Sequence, residues 1–326
     1  MHRRTFLHFT AAALAAGAAS ACVGRVGAGR AGAAADATAA ADAAAFHAAR
    51  RYADTGFGRI AYVERGRGEA ALFLHGAPLN GFQWRGALAR LHRQRRCIAP
   101  DFMGLGYSEP GEGQSLAAVG QAAMLVALLD RLGIARADVV ASDSGCAAAQ
   151  WLLARHPERV RSALLCNGDV EIDSPPAKVR PAIEMARAGT LADATAEWLK
   201  DKAKARATLG AAAFTYPQRM ADATIECYAA PVVSTPLRRA QYHAFHLALE
   251  PNPLAGIEAA LAHSAAPVRI VWGEGDDIFA FADAQYLDRL LPQSRGIRRV
   301  PGAKLFFPEE FPDLIADEAL RLWRSV

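Results

Sequence analysis

Apolar residues follow one another without interruption in several short runs of the chain. Examples are AALFLHG at 70–76, ADVVASD at 137–143, RSALLCNGD at 161–169 and PVRIVWGEGDD at 267–277. Longer stretches between such runs, for example SLAAVGQAAMLVALLDRLGI, have apolar residues at helical spacing. Uninterrupted apolar strands that alternate with helices are typical of a parallel sheet covered on both faces. The pattern therefore predicts an α/β fold around a mostly parallel sheet.

This alternation stops in the middle of the chain, over residues 171–255. The segment contains helix-like stretches such as PAIEMARAG and RRAQYHAFHLALE, and it has no strong strand pattern. It is too long to be a bare loop in a compact domain. We predict a helical lid there, placed over the strand ends where open α/β sheets bind ligands. The sheet-forming core is expected in two parts, at residues 46–170 and 256–326.

The first 45 residues are expected to lie outside this core. Residues 1–22 begin with MHRRTFLHF, continue with an alanine-rich run and end in ASAC, which resembles a twin-arginine export signal. Cleavage near Ala21 and lipid attachment at Cys22 are alternative fates. Residues 23–45 contain no large apolar residue beyond two valines, so we predict a disordered tether. The protein is expected to be exported, to the periplasm or out of the cell, with or without a lipid anchor.

Composition narrows the function mainly by exclusion. The 326-residue chain is 52% hydrophobic, which is ample for one large core. The formal net charge is +4, and no basic stripe is interleaved with aromatic residues, so no nucleic-acid partner is expected. The five cysteines show no CxxC or Cys/His spacing, so no metal or other cofactor is expected. The expected partner is a small-molecule substrate.

The most informative motif is VASDSGCAAAQ at 140–150, where a strand pattern turns directly into a helix pattern. Asp143 stands at the turn, and the residues two positions away on each side, Ala141 and Gly145, are small. Small neighbours let a strained strand–turn–helix elbow close around a nucleophile, and Asp tolerates unusual backbone angles better than most residues. Ser144 also has small neighbours and is the alternative nucleophile. An Asp here could also simply cap the helix; we favour Asp143 as the nucleophile.

Four motifs in this order resemble the α/β-hydrolase fold over residues 50–326. They are the HG-x-P turn in LFLHGAPLNGFQWRG, the D-x-x-G-x-G-x-S turn in IAPDFMGLGYSEP, the elbow at Asp143 and the strand-end acid in VWGEGDDIF. The resemblance implies a mostly parallel eight-stranded sheet flanked by helices, with a helical lid insertion. It also implies an oxyanion hole formed by the backbone N–H groups of Ala77 and Ser144, and Asp276 as the catalytic acid.

An aspartate at the elbow is similar to the haloalkane dehalogenases and epoxide hydrolases of this superfamily. A carboxylate with an ordinary pKa of about 3.9 is ionised at neutral pH, so it can displace a halide or open an epoxide without a base. The ester that forms must then be hydrolysed, and a His–acid pair activates the water for that step. The lid tyrosines Tyr216, Tyr228 and Tyr242 could donate to an epoxide oxygen. Where the dehalogenases usually have Trp and Asn, this chain has Ser144 and Ala77.

The catalytic histidine of the family is missing from its usual position. The family's G-A-G-H-F segment corresponds here to VPGAKLFFPEEFP, which places Lys304 at the second glycine and Leu305 at the histidine. Of the nine histidines, His243 and His246 lie in the predicted lid, three residues apart on one helical face, and either could reach the site. A base supplied by the lid is therefore one expectation, and slow turnover with a trapped ester is the other.

Two more residues are candidates for supporting roles. Asp169 follows the strand RSALLCNGD, where some relatives carry the catalytic acid, and Lys304 could pair with Asp276. The expected function is an exported hydrolase that acts on a small, neutral, apolar substrate through an ester on Asp143. The alternatives are a non-hydrolytic enzyme that uses Asp143 as a proton shuttle, and an inactive protein that binds a small ligand on the same fold.

Overall fold

A nine-stranded sheet forms the centre of the computed structural model, which describes residues 37–325. The apolar runs found in the sequence become its central strands, because a strand that is covered on both faces needs apolar side chains in both directions. The strands are β1 (Arg50–Thr55), β2 (Gly58–Arg65), β3 (Ala70–Leu74), β4 (Arg96–Pro100), β5 (Glu109–Pro110), β6 (Ala137–Asp143), β7 (Val160–Gly168), β8 (Val268–Gly273) and β9 (Ser294–Val300).

The sheet is parallel from β4 to β9 and antiparallel at its N-terminal edge. Its order is β1-β2-β4-β3-β6-β7-β8-β9, and the two-residue strand β5 pairs with β2 outside this path. The pairs of β3 with β4 and β6, and of β7 with β6 and β8, are parallel, as is β8 with β9. Every residue of β3 and β6 is buried. The prediction of a mostly parallel sheet with eight strands in its main path is confirmed.

Helices cover this sheet and fill the long connection between β7 and β8. They are α1 (residues 37–48), α2 (Arg85–Leu91), α3 (Ala118–Arg131), α4 (Ser144–Arg155), α5 (Arg180–Arg187), α6 (Leu191–Lys200), α7 (Lys202–Ala205), α8 (Ala211–Ala213), α9 (Asp222–Val233), α10 (Pro236–Leu247), α11 (Glu258–Leu261), α12 (Phe281–Leu290), α13 (Phe307–Glu310) and α14 (Pro312–Trp323).

The connection at residues 169–267, which we call the insertion, contains helices α5–α11 and no strand. Helix α10 shows why its sequence folds this way. Thr235 caps the helix by accepting a hydrogen bond from the backbone N–H of Arg238, and Pro236 occupies the first helical position. Helices occur throughout the predicted range of 171–255, while the role of the insertion as a lid stays a prediction.

The N-terminal prediction needs a correction at residues 37–45. The chain is helical there, as α1, where the sequence suggested a disordered tether. Alanine is the best helix former, and the following Phe46 is buried, with its ring centroid 5.3 Å from that of Phe82. The predicted export signal, Cys22 and the rest of the tether lie outside the described residues. Within 37–325, no helix combines the length and the apolar character needed to cross a membrane.

Candidate active site

The elbow predicted at Asp143 has a strained backbone. Strand β6 ends at Asp143, helix α4 begins at Ser144, and the backbone angles of Asp143 are φ 56° and ψ −134°. In residues 37–325, Asp143 is the one non-glycine residue with a positive φ. Strain of this kind is typical of functional sites. The strained position of the turn is therefore Asp143, while Ser144 is the first residue of helix α4. The Oγ atom of Ser144 is buried and has no hydrogen-bond partner in the described chain.

Glycines make the close approach around the elbow possible. A Cβ added to Gly145 would lie 2.5 Å from the backbone oxygen of Leu74, so helix α4 starts directly against the end of β3. A Cβ added to Gly76 would lie 2.3 Å from Oδ2 of Asp143. Real Cβ atoms do not approach other heavy atoms this closely, so any side chain at either position would push the elbow apart. The glycines thus bring the HG-x-P loop into contact with the nucleophile position.

The predicted oxyanion hole is occupied by Asp143 itself. The backbone N–H of Ala77 donates to Oδ2 of Asp143 over 2.7 Å, and the N–H of Ser144 is near enough to this carboxyl group to lower its pKa. His75 supports the loop from below, because its Nδ1 donates to the backbone oxygen of Gly76 over 2.8 Å. With Oδ2 bound to the N–H of Ala77, Oδ1 is the oxygen available for bond formation.

The protonation of Asp143 differs from the expectation drawn from an ordinary carboxyl group. Burial raises the pKa of Asp143 well above its usual range, and the nearby carboxyl groups of Asp169 and Asp276 raise it further. The N–H groups of Ala77 and Ser144 lower this pKa without cancelling the effect of burial. The sequence argument took the pKa of a solvated carboxyl group, and it missed this shift because burial is set by the tertiary structure.

Asp276, the expected acid, lies in a loop after β8 and is held by backbone and side-chain donors. Asn167 donates from Nδ2 to Oδ2 of Asp276 over 2.8 Å, and the N–H of Ile278 donates to Oδ1 over 2.9 Å. Burial raises the pKa of Asp276 to about 6. Sequence reasoning missed Asn167, although a polar residue at the end of the apolar strand β7 was a signal. Asn167 also clamps β8, because it exchanges hydrogen bonds with the backbone of Gly273.

Asp169, the alternative acid, borders the same site from the end of β7. Its Oδ1 accepts a hydrogen bond from Oγ of Ser174 over 2.7 Å, and burial raises its pKa to about 6. The neighbouring Asp277 is exposed and pairs with Lys178, which lowers its pKa. Of the two adjacent aspartates after β8, Asp276 is therefore the buried one, and its carboxyl group raises the pKa of Asp143.

A cavity of about 350 Å³ opens between the elbow and the insertion. Asp143, Ser144 and Ala77 line its core side, and Asp169 lines it from the first position of the insertion. The insertion contributes mostly apolar side chains, as expected for a site that binds a small apolar molecule. These are Pro175, Pro176, Val179, Ala182, Met185, Leu191, Ala194, Trp198, Leu209, Ala212 and Leu249.

The two candidate histidines of helix α10 have different environments. His246 lines the cavity, and its Nδ1 is 2.9 Å from the backbone oxygen of Tyr242. Burial lowers the pKa of His246 to about 4. His243 does not line this cavity; its Nε2 accepts a hydrogen bond from the backbone N–H of Ala192 over 3.0 Å, at the start of α6. The structure thus brings His246, and not His243, into the cavity that Asp143 lines.

The segment that would carry the family's histidine is tied to the insertion. The N–H of Phe306 donates to the backbone oxygen of Ala213 over 2.8 Å, and the Lys304 ammonium donates to that of Ala211. Leu305 is buried and is not among the residues that line the cavity. The structure shows no ion pair between Lys304 and Asp276.

Of the three candidate tyrosines, one lines the cavity and two do not. Tyr242 lines the cavity, and its hydroxyl group is 3.3 Å from Oγ1 of Thr195. Tyr228 donates to the carboxylate of Glu309 over 2.6 Å, and Tyr216 borders a different, smaller pocket. In the described chain, no group of three or more His, Cys, Asp or Glu residues is arranged to hold a metal ion.

Comparisons with known proteins agree with this fold. A family model described as alpha/beta hydrolase fold matches residues 71–311. The chain is 32% identical over 117 residues to haloalkane dehalogenase 2 of Mycobacterium tuberculosis, an alignment that covers 36% of this chain and 41% of that protein. It is 39% identical over 118 residues to 2-hydroxymuconate semialdehyde hydrolase of Pseudomonas putida, covering 34% of this chain and 40% of that protein. The chain thus matches about two fifths of the length of these relatives.

Solved structures resemble the chain over most of its length. An α/β hydrolase fold protein from Burkholderia ambifaria has a TM-score of 0.72 at 26% identity, covering 83% of this chain and 97% of that chain. A putative ancestral haloalkane dehalogenase has a TM-score of 0.69 at 25% identity, covering 84% and 98%. An epoxide hydrolase has a TM-score of 0.70 at 21% identity, covering 85% and 98%, and so shares the fold.

Proposed function

The chain belongs to the α/β-hydrolase family, and from this premise we propose that it is a hydrolase with Asp143 as its nucleophile, of the haloalkane dehalogenase or epoxide hydrolase type. One observation carries the proposal. Asp143 is the strained residue of the elbow, and Oδ2 of its carboxyl group is bound to the N–H of Ala77 at 2.7 Å. A carboxylate held by one oxygen presents the other to a bound electrophile.

In the first step, Oδ1 of the ionised Asp143 carboxylate attacks an electrophilic carbon of the substrate. Because burial raises the pKa of Asp143, this step should become faster as the pH rises and the carboxyl group loses its proton to solvent. The new C–O bond forms as the bond from this carbon to the halogen breaks, and the halide leaves with the bonding electrons. With an epoxide, the C–O bond of the ring breaks instead and the oxygen takes up a proton. Tyr242, one of the hydroxyl-bearing residues that line the cavity, would donate it. The product of this step is an ester of Asp143.

The cavity indicates the class of substrate. Its wall on the side of the insertion is mostly apolar, and its volume of about 350 Å³ suits a small molecule. An alkyl halide or alkyl epoxide would bury its chain against side chains such as Met185, Trp198 and Leu249. Burial of the alkyl chain contributes about 0.8 kcal/mol for each CH₂ group.

The proposal is tested by trapping the ester. Purified protein is incubated with 1-bromohexane or 1,2-epoxyhexane, quenched with acid, and analysed by intact mass and peptide mapping. We expect a hexyl or hydroxyhexyl adduct on Asp143, and none in Asp143→Asn. Ser144→Ala is the matched control and should retain the adduct. Labelling of Ser144 by an organophosphonate, with Asp143 unmodified by either electrophile, would show that Ser144 is the nucleophile instead.

A second candidate function follows from the raised pKa of Asp143. A buried carboxyl group whose pKa is raised is suited to donate and accept protons, as in isomerase or lyase chemistry. This alternative predicts exchange of substrate hydrogen with deuterated water and no adduct on Asp143. If neither exchange nor an adduct occurs and Asp143→Ala leaves ligand binding unchanged, the cavity is a binding site without catalysis.

A further inference from the structure

We propose that His246, on helix α10 of the insertion, is the base that hydrolyses the ester on Asp143. The inference rests on the proposed function, because it concerns the second step of the same reaction. It assigns to the insertion a role that the relatives of this fold give to the segment after β9, where this chain has Leu305. The evidence is the placement of His246, its tautomer and the rigidity of its helix.

The tautomer of His246 is fixed by its own helix. A backbone carbonyl can only accept a hydrogen bond, so Nδ1, at 2.9 Å from the oxygen of Tyr242, carries the ring proton. In the neutral ring, Nε2 then has a free lone pair. The structure shows no hydrogen bond to Nε2 from any described residue. Because Nδ1 faces the helix and His246 lines the cavity, Nε2 is the nitrogen available to a water molecule there.

The ring is neutral and held in place. Burial lowers the pKa of His246 to about 4, so Nε2 is free to accept a proton at neutral pH but is a weaker base than an ordinary imidazole. The ring of Tyr242 packs edge-on to the imidazole at a centroid distance of 4.7 Å, and that of Phe245 at 5.7 Å. A general base needs a fixed geometry as well as a free lone pair.

Helix α10 is bound directly to the core of the protein by hydrogen bonds of Arg238. The Arg238 guanidinium donates to the backbone oxygens of Leu105 at 3.0 Å and Gly106 at 2.6 Å, and also to that of Ser108. All three acceptors belong to the turn that follows β4. At Gly104 of this turn, an added Cβ would lie only 3.2 Å from Cβ of Phe245, so the helix packs directly on the loop. These contacts hold α10, and His246 with it, against the turn after β4.

One base is enough for every proton transfer in the hydrolysis of the ester. Nε2 of His246 takes a proton from water as the water oxygen attacks Cγ of the Asp143 ester. The negative charge develops on Oδ2, where the N–H of Ala77 already donates. When the intermediate collapses, the oxygen of the water stays in the carboxyl group, and the bond between Cγ and Oδ1 breaks so that Oδ1 leaves as the oxygen of the alcohol. This oxygen takes the proton back from His246, and Asp143 then loses its own proton to solvent.

The test compares His246→Gln with His243→Gln. Both histidines are on α10, but His243 holds the start of α6 and does not line the cavity. The probe is 1-bromohexane, and the ester on Asp143 is followed by rapid quench and intact mass. We expect His246→Gln to form the ester at nearly the normal rate and to release it about 10²- to 10⁴-fold more slowly. His243→Gln should form and release it like the natural protein.

Chemical rescue separates a catalytic role from a structural one. In His246→Ala, added imidazole should speed release of the ester without changing the rate of its formation, which a lost packing contact would not explain. Normal release of the ester by His246→Gln would overturn the inference. If Asp169→Asn then fails to release the ester while His246→Gln releases it normally, Asp169 is the base instead. A natural protein that keeps its ester indefinitely would also overturn it and leave the nucleophile in place. If no variant, nor the natural protein, forms an adduct on Asp143, the proposed function fails and this inference with it.

Discussion

Three buried carboxyl groups surround the elbow without an ion pair in the described chain: Asp143, Asp169 and Asp276. Burial raises the pKa of each of them. A carboxyl group with a raised pKa keeps its proton in the folded state at a pH where the unfolded chain has already lost it. The unfolded state then binds fewer protons, so the free energy of unfolding falls as the pH rises from about 4 to about 6. The site therefore lowers stability at neutral pH.

Asp169→Asn should recover part of this stability. The amide oxygen of Asn can still accept the hydrogen bond from Ser174, while the cost of a buried charge disappears. A pKa of about 6 against an ordinary value near 4 corresponds to about 3 kcal/mol at pH 8, of which we expect about 1–3 kcal/mol to be recovered. Urea denaturation at pH 4, 6 and 8 should show a gain that grows with pH.

Asp277→Asn is the control for this substitution. Asp277 is exposed, and its pKa is lowered by its pairing with Lys178. Its small contribution therefore has the opposite sign: it is present at neutral pH and lost in acid. A stability gain at pH 8 in both variants would mean that reduced surface charge, rather than burial of Asp169, explains the result.

At the scale of elements, the elbow depends on β3 and α4 meeting without a side chain between them. In Gly145→Ala, the new methyl group would lie 2.5 Å from the backbone oxygen of Leu74. Because a backbone atom cannot rotate away, either α4 or β3 must shift. We expect a loss of about 1–3 kcal/mol in urea denaturation, together with slower alkylation of Asp143.

Gly56→Ala is the matched control for Gly145→Ala. No heavy atom lies within 4 Å of a Cβ placed at Gly56, and its φ is not positive. The substitution should change the free energy of unfolding by no more than about 0.5 kcal/mol. If Gly145→Ala is equally harmless, the close contact between β3 and α4 does not limit the elbow.

The attachment of α10 to the core is a second feature at this scale. Arg238→Ala removes hydrogen bonds to three backbone oxygens of the turn after β4. Hydrogen bonds of charged groups contribute about 1.5–3 kcal/mol each, but water can replace part of them here. We expect a loss of about 2–3 kcal/mol in urea denaturation. Ester release should also slow, because His246 is on the same helix.

Arg239→Ala provides the comparison for Arg238→Ala. Arg239 adjoins Arg238 on α10, but its ion pair is with the exposed Asp193 of the insertion. Exposed pairs of this kind contribute about 0–1 kcal/mol. Equal losses of unfolding free energy in the two variants would mean that any loss of positive charge destabilises α10. The hydrogen bonds of Arg238 to the turn after β4 would then contribute no more than the ion pair of Arg239.

For the whole molecule, the sequence predicted what local patterns determine. The four apolar runs became β3, β6, β7 and β8, because a parallel strand that is buried on both faces needs apolar side chains at successive positions. The elbow was predictable for a similar reason, since a strained turn with small neighbours is encoded within five residues.

Contacts between distant parts of the chain were not predictable in this way. The sequence left His243 and His246 equivalent, because three residues of spacing place both on one face of α10. Only the packing of α5 and α6 decides that one lines the cavity and the other binds the N–H of Ala192. The raised pKa of Asp143 is likewise a property of the assembled site.

Export is a prediction about the whole chain. The described cysteines, Cys97, Cys146, Cys166 and Cys227, are free thiols. Folding of this part therefore needs no disulfide and can take place in a reducing cytoplasm, before export in the folded state. Replacing Arg3 and Arg4 together by Lys should keep the protein in the cytoplasm, because twin-arginine signals depend on this pair. Cell fractionation and the mass of the N-terminal peptide measure the outcome.

The control for this experiment keeps the number of positive charges and changes arginines outside the signal. Arg25→Lys with Arg30→Lys alters the predicted tether by the same chemistry and should leave export unchanged. The twin-lysine protein should still form the ester on Asp143 in cell lysate, because the leader is far from the elbow in sequence and outside its motifs. If the natural protein stays uncleaved in the cytoplasm, the export prediction is wrong. If it is exported and Cys22→Ser abolishes its membrane attachment, the leader is a lipoprotein signal.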